Sequence, residues 1–132
     1  MRIIILVFVV LTSYPVYAQI NETYVKKTNA ADSFFLHANY EQSVNLYTTA
    51  FAANNDMAKV KHRYRLAAAY AQTNKIEESF TQLFRIAEKG KFTDYELLSR
   101  DILFENLRAD ARWIRVLKLI RNNYELEEKS KE

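Results

Sequence analysis

Apolar residues recur every three to four positions in two central stretches of the chain, residues 40–51 and 76–87. Within each stretch apolar residues fall at i, i+4, i+7, i+10 and i+11 and a small serine falls at i+3, whereas polar residues such as Glu41 and Glu77 occupy positions between them. This spacing gathers the apolar side chains onto one stripe of an α-helix. The pattern therefore predicts two amphipathic helices with matching buried faces.

The two helices belong to a longer repeat with a period of 36 residues. A set of small, aromatic and aliphatic positions in the first copy recurs in the second: Ala31, Phe34, Tyr40, Ser43, Val44, Tyr47 and Ala50 correspond to Ala67, Tyr70, Ile76, Ser79, Phe80, Leu83 and Ile86. One helical hairpin has thus been used twice. Stacked hairpins of this kind build surfaces for binding partners.

Small residues mark the point where the two helices of each predicted hairpin cross. Ala67 and Ser79 hold this place in the second hairpin, and Ala31 and Ser43 hold it in the first. A small side chain lets two helix axes approach closely. Residues 64–71 are apolar on two sides, so we expect the helix that contains them to have several neighbours.

Residues that favour turns separate the predicted helices. They are Ala38-Asn39 and Asn74-Lys75 within the hairpins, Asn54-Asn55-Asp56 between them, and Gly90 after the second. Asn and Gly suit the left-handed backbone conformation at helix ends.

Beyond Gly90 the pattern predicts a C-terminal helical segment. Thr93 and Glu96 have the spacing of a capping box that opens a short helix. A final helix is expected from Asp110, with the apolar stripe Trp113, Val116, Leu117, Ile120 and Tyr124. Two repeats alone do not normally bury their stacking faces, so this segment is expected to cover the second hairpin with Trp113 as its anchor. Residues 127–132 have no apolar side chain and are expected to fray.

The hairpin pattern resembles the tetratricopeptide repeat (TPR), in the positions Ala31, Phe34, Tyr40, Ser43, Tyr47 and Ala50 and again Leu66, Ala67, Tyr70, Ile76, Ser79, Leu83 and Ile86. The period is 36 residues, whereas the family's is about 34. Lys27 and Arg63 stand in place of the family's early Trp. The last part of the chain is similar to a tail that follows such repeats in many bacterial proteins, in Gly90, Phe92, Leu97, Leu98, Asp101, Leu107, Arg108 and Trp113.

The resemblance implies an all-α fold. It would be a right-handed superhelix of two TPR-like hairpins, about 24–57 and 60–93, plus a C-terminal helical cap over 94–126, within a domain of residues 19–126.

Residues 1–18 have the pattern of a secretory signal peptide. Arg2 precedes nine unbroken apolar residues, Ile3–Leu11, and Val16-Tyr17-Ala18 offers a small-residue cleavage site. The run is shorter than the roughly 20 residues that a bilayer-spanning helix needs. We therefore expect cleavage after Ala18, export to the periplasm or the exterior, and no stable membrane anchor; an uncleaved anchor is the alternative. The chain has no Cys, which excludes disulfides and a lipid-modified Cys.

The charge of the chain is nearly balanced. Nineteen Lys and Arg against 16 Asp and Glu give a net charge of +3, and removal of Arg2 with the signal peptide leaves 18 against 16, or +2. The two signs are interspersed along the chain, so we expect no nucleic-acid partner.

The chain holds few of the residues from which a catalytic centre is built. There are two histidines, His37 and His62, no Cys and one Gly. A nucleophile elbow needs two glycines around a serine, and the two histidines stand on different predicted helices with no carboxylate spacing of a metal site. We therefore predict a protein without catalysis, cofactor or metal.

A basic cluster, Lys59, Lys61, His62, Arg63 and Arg65, begins the second hairpin. In tetratricopeptide repeats this helix lines the concave groove, so the resemblance implies capture of an acidic or carboxylate-bearing peptide there. The candidate partner-binding residues are Asp32, Phe35, Lys61, Tyr64, Arg65, Ala68 and Gln72, with Tyr64 and Gln72 expected to be exposed. The family's carboxylate clamp is not reproduced, because Thr28 and Asp32 replace its Lys and Asn. A solvated helix start is the alternative interpretation of the cluster.

A second basic row, Arg108, Arg112, Arg115, Lys118 and Arg121, follows the final helix. We expect Arg112 to pair with Asp101 and tie the capping segments together. An exposed row that meets anionic polymer or lipid headgroups is the alternative.

Together these patterns predict an exported TPR-like adaptor that binds a protein or peptide through its concave face. An accessory or remnant of an exported esterase-like hydrolase system is the alternative, because similar repeat-plus-tail segments are attached to esterase-like domains. A homodimer is a third possibility, since two repeats leave a stacking end incompletely covered.

Overall fold

A computed structural model describes residues 21–132 of the chain, and the predicted signal peptide lies outside the described residues. These residues form six α-helices and one 3₁₀ helix, and no strand lies among them. The helices are α1 Glu22–Leu36, α2 Tyr40–Ala53, α3 Val60–Gln72, α4 Ile76–Glu88, α5 Tyr95–Arg100, the 3₁₀ helix Ile102–Leu107 and α6 Ala111–Lys129. The fold is all-α, as predicted.

Helices α1 and α2 form one hairpin, α3 and α4 form a second, and α2 packs against α3. The same hydrogen bond closes both hairpins. Ser43 Oγ donates to the Ala31 carbonyl at 3.1 Å, and Ser79 Oγ donates to the Ala67 carbonyl at 2.7 Å. All four residues are completely buried. The close helix crossings predicted from these small residues are therefore confirmed.

Helix α3 lies between two buried clusters. Leu66 and Ala69 pack with the core of the first hairpin, whereas Ala67, Ala68 and Ala71 pack with the second hairpin and the C-terminal segment. A helix with cores on both sides needs apolar residues around most of its circumference, which explains the two-sided pattern of residues 64–71.

The turns lie at the predicted breaks, but Gly90 has a different role from the one expected. Ala38 and Asn74 have left-handed φ values of 57° and 59° after α1 and α3. After α4 the left-handed residue is Lys91, at φ 52°, and Gly90 is not left-handed. A Cβ atom on Gly90 would lie 2.9 Å from both the Ile86 carbonyl oxygen and Val60 Cγ2. The glycine is therefore needed for close packing between the end of α4 and the start of α3.

The C-terminal segment covers the second hairpin, with the 3₁₀ helix against α3 and α6 against α4. Trp113 is 5% exposed, and its ring centroid lies 5.9 Å from that of Phe104. Asn123 Nδ2 donates to the carbonyls of Ala87 and Phe92 at 2.7 and 2.9 Å. Trp113 therefore anchors the cap on the second hairpin, as predicted.

Three details of the cap differ from expectation. Asp94, and not Thr93, caps α5 by accepting a 3.0 Å hydrogen bond from Leu97 N. Arg112 does not pair with Asp101; it binds Asp110 and Glu77, each at 2.8 Å, because α6 begins beside the first turn of α4. Helix α6 also continues to Lys129, into the segment expected to fray.

The outer surface of the first hairpin is mostly polar. The exposed positions of α1 and α2 include Glu22, Lys26, Asn29, Glu41, Gln42 and Asn45, with Val25, Leu36, Ala52 and Ala53 as apolar exceptions. The cap covers the other hairpin. The homodimer expected from an incompletely covered stacking end stays a prediction. Among these residues no helix combines the length and apolar character that crossing a bilayer requires.

Candidate functional site

An apolar groove opens where α1, α3 and the C-terminal segment meet. It encloses about 520 Å³. Apolar and aromatic side chains dominate its lining, which consists of Phe35, Val60, Lys61, Tyr64, Arg65, Phe92, Leu97, Asp101 and Leu103. We refer to it as the α3 groove, because α3 contributes four of these nine residues.

Tyr64 fixes the shape of the α3 groove. Its hydroxyl donates to Asp101 Oδ2 at 2.6 Å, and its ring centroid lies 5.7 Å from that of Phe92 and 5.4 Å from that of Phe104. Burial, together with the hydrogen bond to Asp101, raises the pKa of Tyr64 well above its usual range. The side chain is half-buried rather than exposed as expected, and it joins α3 to the cap.

Arg65 is held in position at the edge of the α3 groove. Its Nη1 lies 2.8 Å from Asp32 Oδ1, and its guanidinium carbon lies 5.7 Å from the Phe35 ring centroid. Asp32 also accepts a hydrogen bond from the Tyr47 hydroxyl. Burial alone would raise the pKa of Asp32, but the hydrogen bonds from Tyr47 and Arg65 outweigh it and lower the pKa. Asp32 therefore lies behind Arg65 as an ionised support and is not part of the lining.

Lys61 is the unpaired cation of the α3 groove. It is exposed, and within residues 21–132 its ammonium group forms no salt bridge. Asp101, the acidic residue of the lining, already accepts the Tyr64 hydroxyl. Lys61 is thus available to a ligand that carries negative charge.

A buried hydrogen-bonded chain joins α1 to α3 behind the groove. Lys59 N donates to the Tyr24 hydroxyl oxygen at 2.9 Å, and the same oxygen lies at hydrogen-bond distance, 2.6 Å, from His62 Nδ1. The other ring nitrogen, His62 Nε2, lies 3.7 Å from Asp32 Oδ2. Burial lowers the pKa of His62, against the opposing effect of Asp32. Tyr24 and His62 are only 6% and 4% exposed, so this chain supports the fold and is closed to substrate.

Arg63 likewise lies inside the protein. It donates to Gln82 Oε1 at 3.0 Å and to the Asp56 carbonyl, and its guanidinium carbon lies 5.0 Å from the Phe51 ring centroid. The basic cluster read from the sequence is therefore not a continuous surface. His62 and Arg63 are buried and Arg65 is paired, whereas Lys59 and Lys61 remain exposed.

Four of the predicted partner-binding residues line the α3 groove: Phe35, Lys61, Tyr64 and Arg65. Ala68 is a correction, since it is completely buried in the second core and offers no surface to a partner. Gln72 lies outside the groove and donates to the Leu103 carbonyl at 2.8 Å.

The sequence prediction missed five lining residues, Val60, Phe92, Leu97, Asp101 and Leu103. Four of them belong to the C-terminal segment, and no local sequence pattern predicts that these four residues lie against α3. One signal was available. Adjacent residues on a helix point about 100° apart, so Leu97 and Leu98 do not share one buried face. Leu98 is completely buried and Leu97 is 51% exposed at the groove.

Among the described residues no group of three His, Cys, Asp or Glu is placed to hold a metal ion. No protein family, curated protein or solved structure was found to match this chain. The function is therefore inferred from the geometry of the site.

Proposed function

We propose that this protein is an exported, TPR-like adaptor that captures a peptide segment of a partner protein in the α3 groove and has no catalysis of its own. The observation that carries the proposal is the groove itself, an apolar concavity of about 520 Å³ with an unpaired Lys61 at its edge. Apolar walls with a few placed polar groups are typical of ligand sites of this size. Apolar contacts would supply affinity and the cation would set orientation.

The repeated packing supports the TPR-like part of the proposal. Ser43 and Ser79 make equivalent hydrogen bonds one repeat apart, and both hairpins cross at small residues. The position of the groove also supports the TPR-like part of the proposal. The groove lies along α3, the first helix of the second hairpin, and in tetratricopeptide repeats that helix lines the concave binding surface.

The lining indicates the chemistry of the peptide. Phe35, Val60, Leu97 and Leu103 provide an aliphatic and aromatic surface that fits one or two bulky apolar side chains. Lys61 favours an acidic group beside them, since a carboxylate near an unpaired ammonium gains a charge-assisted hydrogen bond. The proposed ligand is therefore a short peptide that combines apolar and acidic residues.

A peptide-display selection tests this proposal and does not require that the natural partner be identified. Random peptides are selected on the purified protein, and the enriched peptides are synthesised and measured by fluorescence anisotropy. We expect enrichment of sequences with bulky apolar residues next to Asp or Glu. A selection without enrichment, or one that favours basic peptides, contradicts the proposal.

Two matched pairs of variants test whether the peptide binds in the α3 groove. Leu97→Glu introduces a charge into the groove, and Leu36→Glu makes the same change at a 71% exposed position outside its lining. Lys61→Glu reverses the groove cation, and Lys26→Glu reverses an exposed lysine on α1. We expect at least a tenfold loss of affinity in the groove variants alone. Equal effects within each pair, at unchanged circular dichroism, would remove the groove from consideration.

Export is tested separately, because the proposal takes it from the apolar run Ile3–Leu11 and the site at Ala18. Mass spectrometry of the protein from its native cells should find Gln19 as the first residue. A retained Met1 would contradict cleavage and leave the groove proposal unaffected.

A further inference from the structure

Helix α6 carries an unusual distribution of charge. Its residues 111–124 include four cations and no acidic residue. Arg112 is occupied by the carboxylates of Glu77 and Asp110. The other three, Arg115, Lys118 and Arg121, are exposed and form no salt bridge within residues 21–132.

Aromatic rings hold two of these cations on the surface. The guanidinium carbon of Arg115 lies 5.4 Å from the Phe84 ring centroid, and that of Arg121 lies 4.9 Å from the Tyr95 centroid. Stacking of this kind restrains a guanidinium group while its N–H donors stay available, because the ring contacts its face. The two arginines are therefore oriented by the fold without a carboxylate to neutralise them.

An apolar residue stands among the cations. Ile114 is 57% exposed, and it shares one side of α6 with Lys118 and Arg121 at i, i+4 and i+7. The buried stripe of the helix, Trp113, Val116 and Ile120, faces the core instead. Beyond Tyr124 the helix becomes acidic, with Glu125, Glu127 and Glu128, so the cationic face is confined to its first part.

We propose that this face of α6 docks onto the surface of a bilayer rich in anionic lipid. Lys118 and Arg121 meet the headgroup phosphates with Arg115 at the edge of the face, about 100° around the helix from Ile114, and Ile114 enters the boundary between headgroups and acyl chains. A soluble polyanion would also satisfy the cations, but it offers no apolar environment for Ile114. The mixed character of the face therefore favours a lipid surface. The docking is peripheral and sensitive to salt, since exposed charges act within a Debye length.

Co-sedimentation with vesicles tests the docking on the full chain. One set of vesicles contains phosphatidylcholine alone and the other is about one-third phosphatidylglycerol. The N-terminal apolar run is common to every variant, so only differences between variants are compared. We expect stronger partition onto the anionic vesicles and its loss at high salt.

A matched pair of triple variants assigns the effect. Arg115→Ala, Lys118→Ala and Arg121→Ala together remove the cations of the face. Lys26→Ala, Lys75→Ala and Lys89→Ala remove the same charge from exposed positions on other elements. We expect the first variant to lower partition by about 100-fold, or about fivefold per cation, with little change in the second. Equal losses in the two variants overturn the proposal.

Two further variants separate lipid from polyanion and guard against misfolding. Ile114→Ser should weaken vesicle binding severalfold and leave any binding to inorganic polyphosphate unchanged. If Ile114→Ser leaves vesicle binding unchanged while the variant without the three α6 cations loses polyphosphate binding, the face recognises a polyanion and the lipid proposal is rejected. If the triple variant unfolds, Lys118→Glu against Lys26→Glu makes the same comparison at residues with no side-chain partner in residues 21–132. Equal vesicle binding by these two variants also overturns it.

Discussion

The Tyr64 hydroxyl donates to Asp101 Oδ2 at 2.6 Å and thereby joins α3 to the beginning of the 3₁₀ helix. The other carboxylate oxygen, Oδ1, accepts a 3.0 Å hydrogen bond from Leu103 N and caps that same helix. One carboxylate thus fixes both the start of the 3₁₀ helix and its distance from α3. The wall of the α3 groove opposite α3 depends on this contact.

Replacement of Tyr64 by Phe should destabilise the protein by about 1–3 kcal/mol, because it removes a hydrogen bond to a charged acceptor and keeps the ring packing. Urea unfolding followed by circular dichroism measures the change. Tyr95→Phe is the matched control, since the Tyr95 hydroxyl makes no hydrogen bond with the described residues while its ring packs against Tyr124. An equal loss in the two variants would show that Tyr64 and Asp101 contribute nothing specific.

His62 should make stability depend on pH. Its pKa in the folded protein lies below the ordinary value of 6.5, so the unfolded chain binds the proton more readily. The contribution of His62 to the free energy of unfolding is therefore fully present above about pH 6.5, and it is lost as the pH drops below that value. Asp32, whose pKa is lowered from 3.8, adds its own loss only in stronger acid.

Unfolding free energies between about pH 7.5 and pH 5 check this sign. His62→Gln should flatten the dependence in that range, and His37→Gln, at the exposed end of α1, is the matched control. Stability that rises on acidification, or an unchanged slope in His62→Gln, contradicts the prediction.

The two serine contacts should be equivalent and independent. Ser43→Ala and Ser79→Ala each remove a buried hydrogen bond to a carbonyl, at a cost of about 1 kcal/mol. Their partners lie in different hairpins, so the double variant should show the sum of the single effects. Ser130→Ala, at the exposed end of α6, provides the control. Strong coupling between the two sites would mean that the repeats do not pack as separate units.

Gly90→Ala should cost about 1–3 kcal/mol, because its Cβ atom would approach both Ile86 and Val60 to 2.9 Å. Lys91→Gly should have a small effect or stabilise, since the left-handed φ of 52° at Lys91 suits glycine. Thermal unfolding of the two variants separates two reasons for a glycine at this turn: steric contact of a Cβ atom at position 90, and a left-handed backbone at position 91. Similar melting temperatures for Gly90→Ala and the wild type would contradict the close-contact explanation.

The hairpins were predictable because the sequence patterns that specify them lie within short stretches of the chain. The spacing of apolar residues in 40–51 and 76–87 specifies a buried stripe without reference to the rest of the chain. The small residues at Ser43 and Ser79 then indicate where a partner helix passes.

Helical spacing also indicated that His62 and Arg63 are buried, but their basic character favoured an exposed position in the sequence analysis. His62 stands at i, i+4 and i+7 with Leu66 and Ala69, which both belong to the first core. A helix between two cores buries such positions, and the polar groups then need partners, which Tyr24, Gln82 and the Asp56 carbonyl supply.

The sequence predicted that the C-terminal segment covers the second hairpin, but no local pattern indicated which of its residues contact α3. Arg112 pairs with Asp110, two positions before it, and with Glu77, which lies 35 positions away in the sequence and which no local pattern indicates. The groove follows from the path of this segment, because Phe92, Leu97, Asp101 and Leu103 reach α3 only when the cap has folded back. For this reason the sequence indicated the α3 side of the site and missed the opposite wall.

Trp113 is the sole tryptophan of the chain and lies in the cap against Phe104. Its emission should be blue-shifted in the native protein and should move to longer wavelength when the cap detaches. Because Trp113 shares one buried cluster with Phe80 and Leu83 of the second hairpin, we expect this spectral change to coincide with the loss of helicity in urea. A spectral change that precedes the loss of helicity would reveal an intermediate with intact hairpins and an open cap.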